Sequence, residues 1–258
     1  MLQQERLHRI QALLQQRHNI TTERVMAELN ISRETARRDF IELEAQGIAK
    51  RVHGGLVSTT QIATEAPLQI RHGQYAKEKR AIARCAVQQL SAGQTVFIDA
   101  GSTTAILAEE LRTLSGLTII SNSLQVILNL SMGNEQDYLN HELILLGGRV
   151  QQRMQSQGEQ VIREIERYQA DLCMLSPVGL DLEQGASSYY LEEANIAAAM
   201  RQHSRDCMLL MDHSKLNVHS RVNYARLDQI SALITDVGSQ KLANFADYQT
   251  QLKQVILA

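Results

Sequence analysis

Cysteine is scarce in this chain, and what there is stands apart. Cys85, Cys173 and Cys207 lie far from one another among apolar residues. No two have the spacing of metal ligands, so the pattern predicts buried free thiols in a reducing compartment rather than a metal site. Long apolar runs are missing too. None approaches the roughly 18 residues needed to cross a bilayer, and the opening MLQQERLHRI holds no apolar stretch of signal-peptide type. The expectation is a soluble, cytoplasmic protein with no membrane partner. Charge of one sign is also lacking, since 26 basic residues face 28 acidic ones. The distribution says more than the total. Residues 1–57 carry 9 Lys and Arg against 7 Asp and Glu, while the remainder carries 17 against 21. A mildly basic front and an acidic rear fit a nucleic-acid module on a non-binding body. Hydrophobic residues make up 44% of 258 positions, enough for one large domain or two ordinary ones and too many for a disordered chain.

The front of the chain reads as three helices. Leu7, Ile10, Leu13 and Leu14 recur at helical spacing. Asn19 and Ile20 break that pattern. Thr21 or Thr22 caps a second helix with Val25, Met26 and Leu29 on its inner face. Asn30 suits the tight turn that follows. Ser32 then caps a third helix, with Glu34 in its first turn where the positive helix end favours an acid. Ala36, Phe40 and Leu43 fall on one buried stripe, which turns Arg37 and Arg38 outward. Gly47 suits the left-handed residue that ends a helix. A short helix, a brief turn and a second helix bearing cations and hydroxyls describe a helix-turn-helix. Arginine grips guanine edges or phosphates with two parallel hydrogen bonds, and serine and threonine hold backbone phosphates. The following IAKRVHGGLV, residues 48–57, alternates around Gly54-Gly55 as a β-ribbon and makes a basic wing. The candidate DNA contacts are Thr21, Ser32, Arg33, Glu34, Thr35, Arg37 and Arg38, with Lys50, Arg51 and His53 from the wing.

The stretch IS-x-x-T-x-RRDF-x-x-LE-x-QG-x-x-x-RVHGG resembles the N-terminal motif of the DeoR/GlpR transcriptional regulators. Ala36 stands where that family usually has a larger aliphatic residue, and Phe40 where leucine is common. Both are core positions, so they alter packing more than readout.

Residues 58–75 are polar, contain Pro67 and show little periodicity, which reads as a linker between a DNA-binding domain at 1–57 and a second domain at 76–258. From Lys79 to Leu90 a helix recurs, with Ile82, Ala83, Ala86 and Leu90 on one face. TVFID, LTIIS, ELILL, DLCMLS, DCMLLMD and ISALITD then follow as apolar strands, several joined by helical stretches. Such runs imply an α/β domain with a mainly parallel sheet covered on both faces. Nearly every strand ends in small or polar residues, and ligands of open α/β sheets bind at those ends. Gly101, Ser102, Thr103 and Thr104 lead straight into a helix, so N–H groups and hydroxyls converge on its positive end. This is a phosphate or carboxylate site, or a plain helix cap. Lys215 and Arg149 supply countercharge. Glu192 and Glu193 are read as first-turn acids favoured by a helix dipole rather than as an acid/base pair. His203, His213 and His219 have no metal spacing. Tyr189 and Tyr190 line either the pocket or an oligomer interface.

The resemblance continues through K-x-x-IA, ID-x-GSTT, SNS, LLGG, VG-x-D-x-x-x-GA and DHSK, and so covers most of the chain. It implies an effector domain similar in fold to ribose-5-phosphate isomerase and coenzyme A transferases, with a phosphorylated sugar or related metabolite as inducer. By resemblance the effector residues are Lys79, Asp99, Gly101, Ser102, Thr103, Thr104, Ser121, Asn122, Ser123, Gly147, Gly148, Gly179, Asp212 and Lys215. Ser121 stands where the family commonly has threonine, and Ser187-Ser188 replaces a region often rich in threonine. The expectation is a repressor that binds double-stranded operator DNA as a homodimer or homotetramer and is released by its metabolite, with no cofactor, metal or catalytic residue. An isomerase-like enzyme carrying a DNA module and a transcriptional activator are the alternatives.

Overall fold

The computed structural model describes residues 3–17, 19–52, 54–58, 68–131, 141–150 and 154–258. They divide into two units, Met1–Glu65 and Ala66–Ala258.

In the first unit helix α1 (Gln3–Arg17) precedes a short strand β1 (Asn19–Thr21), helix α2 (Thr22–Leu29) and helix α3 (Arg33–Ala45). Strands β2 (Ala49–Val52) and β3 (Gly55–Ser58) follow. Both caps expected from the sequence form. Thr21 Oγ1 accepts the Arg24 N–H at 3.3 Å, and Ser32 Oγ accepts the Thr35 N–H at 3.2 Å. Asn30 takes the left-handed turn with φ 49°, and Gly47 ends α3 at φ 70°. Ile10, Leu14, Val25, Ala36, Phe40, Leu43 and Leu56 close one aliphatic core. The wing is larger than a ribbon. β1 adds to β3 as a third antiparallel strand, pairing Ile20 with Leu56 and Thr21 with Gly55. That pairing needs a glycine, because a Cβ at 55 would sit 2.1 Å from the Ile20 carbonyl oxygen.

The second unit opens with α4 (Leu68–Gly73), a helix inside the stretch expected to be linker. Residues 59–67 of that stretch lie outside the described residues. Next come α5 (Ala76–Val87), β4 (Thr95–Ile98), α6 (Ser102–Glu110), β5 (Thr118–Ser121), α7 (Leu124–Ser131) and β6 (Glu142–Leu145). A hairpin of β7 (Arg149–Val150) and β8 (Ser156–Gln157) leads to α8 (Glu159–Ile165) and β9 (Ala170–Leu175). The chain then passes through β10 (Gly179–Asp181), β11 (Gly185–Ser188), α9 (Leu191–Gln202), β12 (Ser204–Leu210), β13 (Val222–Ala225) and β14 (Ala232–Thr235). It finishes with α10 (Phe245–Gln251) and β15 (Val255–Leu257).

Among the described residues, seven strands form one sheet in the order β15-β14-β12-β9-β4-β5-β6, every neighbouring pair parallel. Alternate residues feed two cores. Phe97, Cys173, Leu175 and Leu209 enter one, while Val96, Ile98, Met174 and Leu210 enter the other. This is why the strands read as unbroken apolar runs. The topology also fixes where a ligand belongs. From β4 the chain builds outward through β5 and β6, then returns to β9 on the other side of β4. The β4/β9 boundary is therefore the point where strand order reverses, and the crevice outside the carboxyl ends at such a point is where open α/β sheets bind ligands.

Candidate DNA and ligand sites

The candidate DNA surface is built by α3 and the wing. Three of its arginines are engaged by acids: Arg33 with Glu23 at 3.0 Å, Arg38 with Glu34 at 3.5 Å and Arg51 with Glu44 at 2.9 Å. The Arg51 backbone N–H also donates to Glu44, which is the first cause holding that carboxyl below its usual range. Arg37 differs, having no ion-pair or hydrogen-bond partner among the described residues. It projects with Arg33 and Arg51 into a concavity of about 560 Å³, lined further by Thr22, Phe40, Val52, Gly54 and Gly55. Thr21, Ser32 and Thr35 work as cap or cap-neighbour residues at the edges of this surface, Ser32 Oγ lying 2.9 Å from Thr35 Oγ1. Lys50 sits exposed on β2. His53 lies outside the described residues.

Asp39 escaped the sequence reading. It is fully buried on the inner side of α3, where Arg6 of α1 grips it with Nε at 2.7 Å and Nη2 at 3.0 Å. The signal was present, since position 39 borders the stripe 36, 40, 43 and an acid there needs a cation.

In the second unit the crevice at the β4/β9 boundary gathers Asp99, Gly101, Ser102, Thr103, Thr104 and Lys215. Asp99 Oδ2 accepts the Ser176 N–H at 2.7 Å, and Asp99 Oδ1 lies 2.9 Å from Thr104 Oγ1. Desolvation by the surrounding protein pushes the Asp99 carboxyl up from 3.8 to about 6. The Ser176 N–H, the Thr104 hydroxyl and Lys215 oppose that rise, and Glu193 adds to it. Gly101 opens α6 against β9, where a Cβ would stand 2.6 Å from Ser176 Cβ. Lys215 Nζ donates to the Pro177 carbonyl at 2.8 Å and to Ser176 Oγ at 3.3 Å. Ser176, which sequence reasoning missed, thus ties Asp99 to Lys215.

The first turn of α6 carries the main sign of a ligand. Ser102 Oγ and Thr103 Oγ1 are buried, and neither has a hydrogen-bond partner among the described residues. They stand where a helix leaves its first N–H groups unsatisfied and its positive end exposed. Next along the edge, Asn122 Oδ1 is likewise buried without a partner, while its Nδ2 holds the Ser156 carbonyl at 3.1 Å.

Other predicted residues are committed locally. Ser121 Oγ donates to the Ile98 carbonyl at 2.7 Å, and Ser123 Oγ accepts the Val126 N–H at 3.2 Å. The Gly147 N–H donates to Glu164 at 2.6 Å, and a Cβ at Gly148 would meet Val161 at 2.7 Å. Arg149 is exposed and pairs with Glu192 at 3.2 Å. Gly179 lies under Val218, whose carbonyl oxygen would be 2.2 Å from a Cβ. Asp212 is buried and caps the following turn through Ser214. Lys79 is buried on α5, its ammonium donating to the Arg71 carbonyl of α4. Glu193 is held by Gln155 at 2.8 Å and Ser188 at 3.2 Å, which a plain first-turn acid does not require. Tyr189 is covered by the Arg221 guanidinium, 4.2 Å from its ring centroid.

Comparison with known proteins agrees with this layout. Residues 6–62 match the DeoR-like helix-turn-helix domain, and residues 74–237 match the DeoR C terminal sensor domain. The HTH-type transcriptional repressor GlcR of Bacillus subtilis is 33% identical over 237 residues, covering 92% of this chain and 89% of the relative. The glycerol-3-phosphate regulon repressor of Escherichia coli is 30% identical over 237 residues, covering 92% of each. Among solved structures, ribose 5-phosphate isomerase A of Methanocaldococcus jannaschii is similar over 55% of each chain, with 16% identity and a TM-score of 0.39.

Proposed function

We propose a function from one premise: the chain belongs to the DeoR family, whose DNA-binding and sensor domains it carries in order. It acts as a sequence-specific repressor of genes of sugar or carbohydrate use, and a phosphorylated sugar or related metabolite releases it from its operator. The relatives' names support the regulatory role, being those of a transcriptional repressor, a glycerol-3-phosphate regulon repressor and a lactose phosphotransferase system repressor. The observation that carries the sensing half is the pair of buried hydroxyls of Ser102 and Thr103 at the start of α6, without a hydrogen-bond partner among the described residues. A phosphoryl group there gains two hydroxyl donors, the helix N–H groups and the helix dipole together. Lys215 adds positive charge at the same edge, and Asp99, Asn122 and Glu193 offer acceptors for ligand hydroxyls.

On the DNA side, Arg37 reads a base edge, while Arg33, Arg38, Lys50 and Arg51 contact phosphates. Exposed ion pairs such as Arg33–Glu23 are worth only about 0–1 kcal/mol, so they exchange readily for phosphate contacts. One such unit makes few contacts, and a dimer or tetramer reading repeated half-sites supplies the rest.

The test is fluorescence anisotropy of the full-length protein on DNA from upstream of its own gene, at fixed salt, with and without a panel of sugar phosphates. Specific binding released by one compound is the expected result. Specific binding that no compound relieves would remove the crevice from the mechanism.

A further inference from the structure

One turn joins the crevice to the front of the sensor unit. After β12 the chain enters a single 3-10 turn, His213–Lys215. Lys215 leaves one side of it toward Ser176 and Pro177. His213 leaves the other. Its Nδ1 lies 2.8 Å from Asp236 Oδ2, and its backbone N–H donates to Asp236 Oδ1 at 2.7 Å. The Gly238 N–H donates to the same carboxylate at 2.8 Å. A Cβ at Gly238 would stand 2.7 Å from His213 Nδ1 and 2.6 Å from Asp236 Oδ2, so glycine there leaves the pair its room. Asp236 thus holds both the imidazole and the backbone of the turn that presents Lys215.

Tyr75 meets that imidazole edge-on, with ring centroids 5.2 Å apart and planes at 79°. Its backbone is left-handed, φ 52° and ψ 37°, a region that residues with a Cβ seldom occupy outside asparagine and aspartate. Its side chain makes no capping hydrogen bond to α5 and is 44% exposed. A left-handed backbone at such a residue costs energy that its surroundings must offset, and residues held this way cluster at switch regions. Tyr75 also joins α4 to α5. α4 packs on α6, whose first turn forms the anion site, and Lys79 of α5 is bonded back to α4. Both halves of the crevice, α6 and the Lys215 turn, therefore converge on the segment around Tyr75.

We propose that Tyr75 and His213 are positioning residues that couple the crevice to DNA binding. Lys215 turns from Ser176 and Pro177 to a bound anion, the His213–Lys215 turn shifts with it, and His213 then re-aims Tyr75 at the head of α5. Neither residue touches ligand. The inference rests on the reading of the crevice as the ligand site. Ligand control requires two states of unequal affinity, and this contact is where they differ.

The experiment uses the full-length chain, which contains no tryptophan. Tyr75→Trp places a single emission reporter at the contact. Emission is followed while upstream DNA is added, and separately while inorganic phosphate, glycerol 3-phosphate and glucose 6-phosphate are added. It is expected to move with DNA and with any compound that releases DNA, and to lose most of that change in Tyr75→Trp/His213→Gln. In parallel, Tyr75→Ala should bind DNA and compound as the parent does, while the effect of compound on DNA affinity falls by about tenfold. Tyr75→Phe keeps the ring and should retain full release. If circular dichroism shows Tyr75→Ala unfolded, His213→Gln takes its place. Constant emission on DNA binding, or full release from Tyr75→Ala, overturns the coupling. Failure of every compound to bind the parent protein counts against the crevice reading instead, and the DNA titration of the reporter still decides the coupling.

Discussion

Arg37 and Asp99 are the two residues whose surroundings say most about what each does. The other arginines near Arg37 are paired with glutamates in exposed ion pairs, weak enough to exchange for phosphates. Arg37 alone of the four has no such partner among the described residues, and the proposed function therefore gives it the guanine edge, where a guanidinium can offer two donors. Arg37→Ala should weaken operator binding by about 1–3 kcal/mol and relax preference at one base position. Anisotropy against single-base operator variants checks this, and an unchanged base preference would leave Arg37 a phosphate contact only. For Asp99 the sign of the pH effect follows from its raised pKa. The folded protein favours the protonated carboxyl, so its contribution to stability is full below about pH 3.8 and is lost as pH rises toward and through about 6. Asp99→Asn keeps a neutral side chain of the same shape. Wild type measured against this variant should therefore lose relative stability between pH 4 and pH 7. Parallel melting curves across that window would expose the wrong sign.

At the scale of elements, the Arg6–Asp39 pair ties α1 to α3, the helix that presents the proposed DNA contacts. Its two members are unequal, for the Asp39 side chain is 0% exposed and that of Arg6 is 16%. Arg6→Met leaves a carboxylate buried with no cation and should cost roughly 3–5 kcal/mol of stability. Asp39→Asn leaves a cation that still reaches water, and the loss should be smaller, about 1–3 kcal/mol. Urea titrations of the two variants compare them, and equal losses would mean that burial is not what separates the partners. The same pair shows what a sequence read alone conveys. The stripe Ala36, Phe40, Leu43 and the apolar runs of the sheet were legible because helix and strand periods are local properties. So was the carboxyl edge of the sheet, since loops of small and polar residues follow the strands directly. The cation facing Asp39 was not legible, being 33 residues away in the chain. Ser176 was hidden for the same reason, its role arising only when β9 is laid beside β4. Strand β1 and helix α4 are too short to carry a period. The close approach of the Val218 carbonyl to Gly179 was hidden too, since the two residues lie far apart in the chain.

For the whole molecule the proposed function predicts separability: the helix-turn-helix unit should bind DNA, the sensor unit should take the metabolite, and a substitution in one should leave the other's task intact. Lys215 tests it. Its ammonium stands at the crevice edge and belongs to the sensor unit, so Lys215→Ala removes countercharge for an anion and leaves α3 and the wing unchanged. A charge-assisted hydrogen bond to a ligand anion is worth about 1.5–3 kcal/mol, roughly 10- to 100-fold in affinity. Operator affinity without metabolite should therefore match wild type, while the metabolite concentration for half release should rise by about that factor. The two quantities come from one anisotropy series, with the salt dependence of DNA binding as a control on the number of phosphate contacts. Because Lys215 also carries the turn that His213 anchors, two outcomes differ in meaning. Release that recovers fully at high metabolite shows a lost binding contact with the coupling intact. Release that saturates below the wild-type extent shows that the turn itself no longer moves. Half release at the wild-type concentration would take Lys215 out of the ligand site altogether.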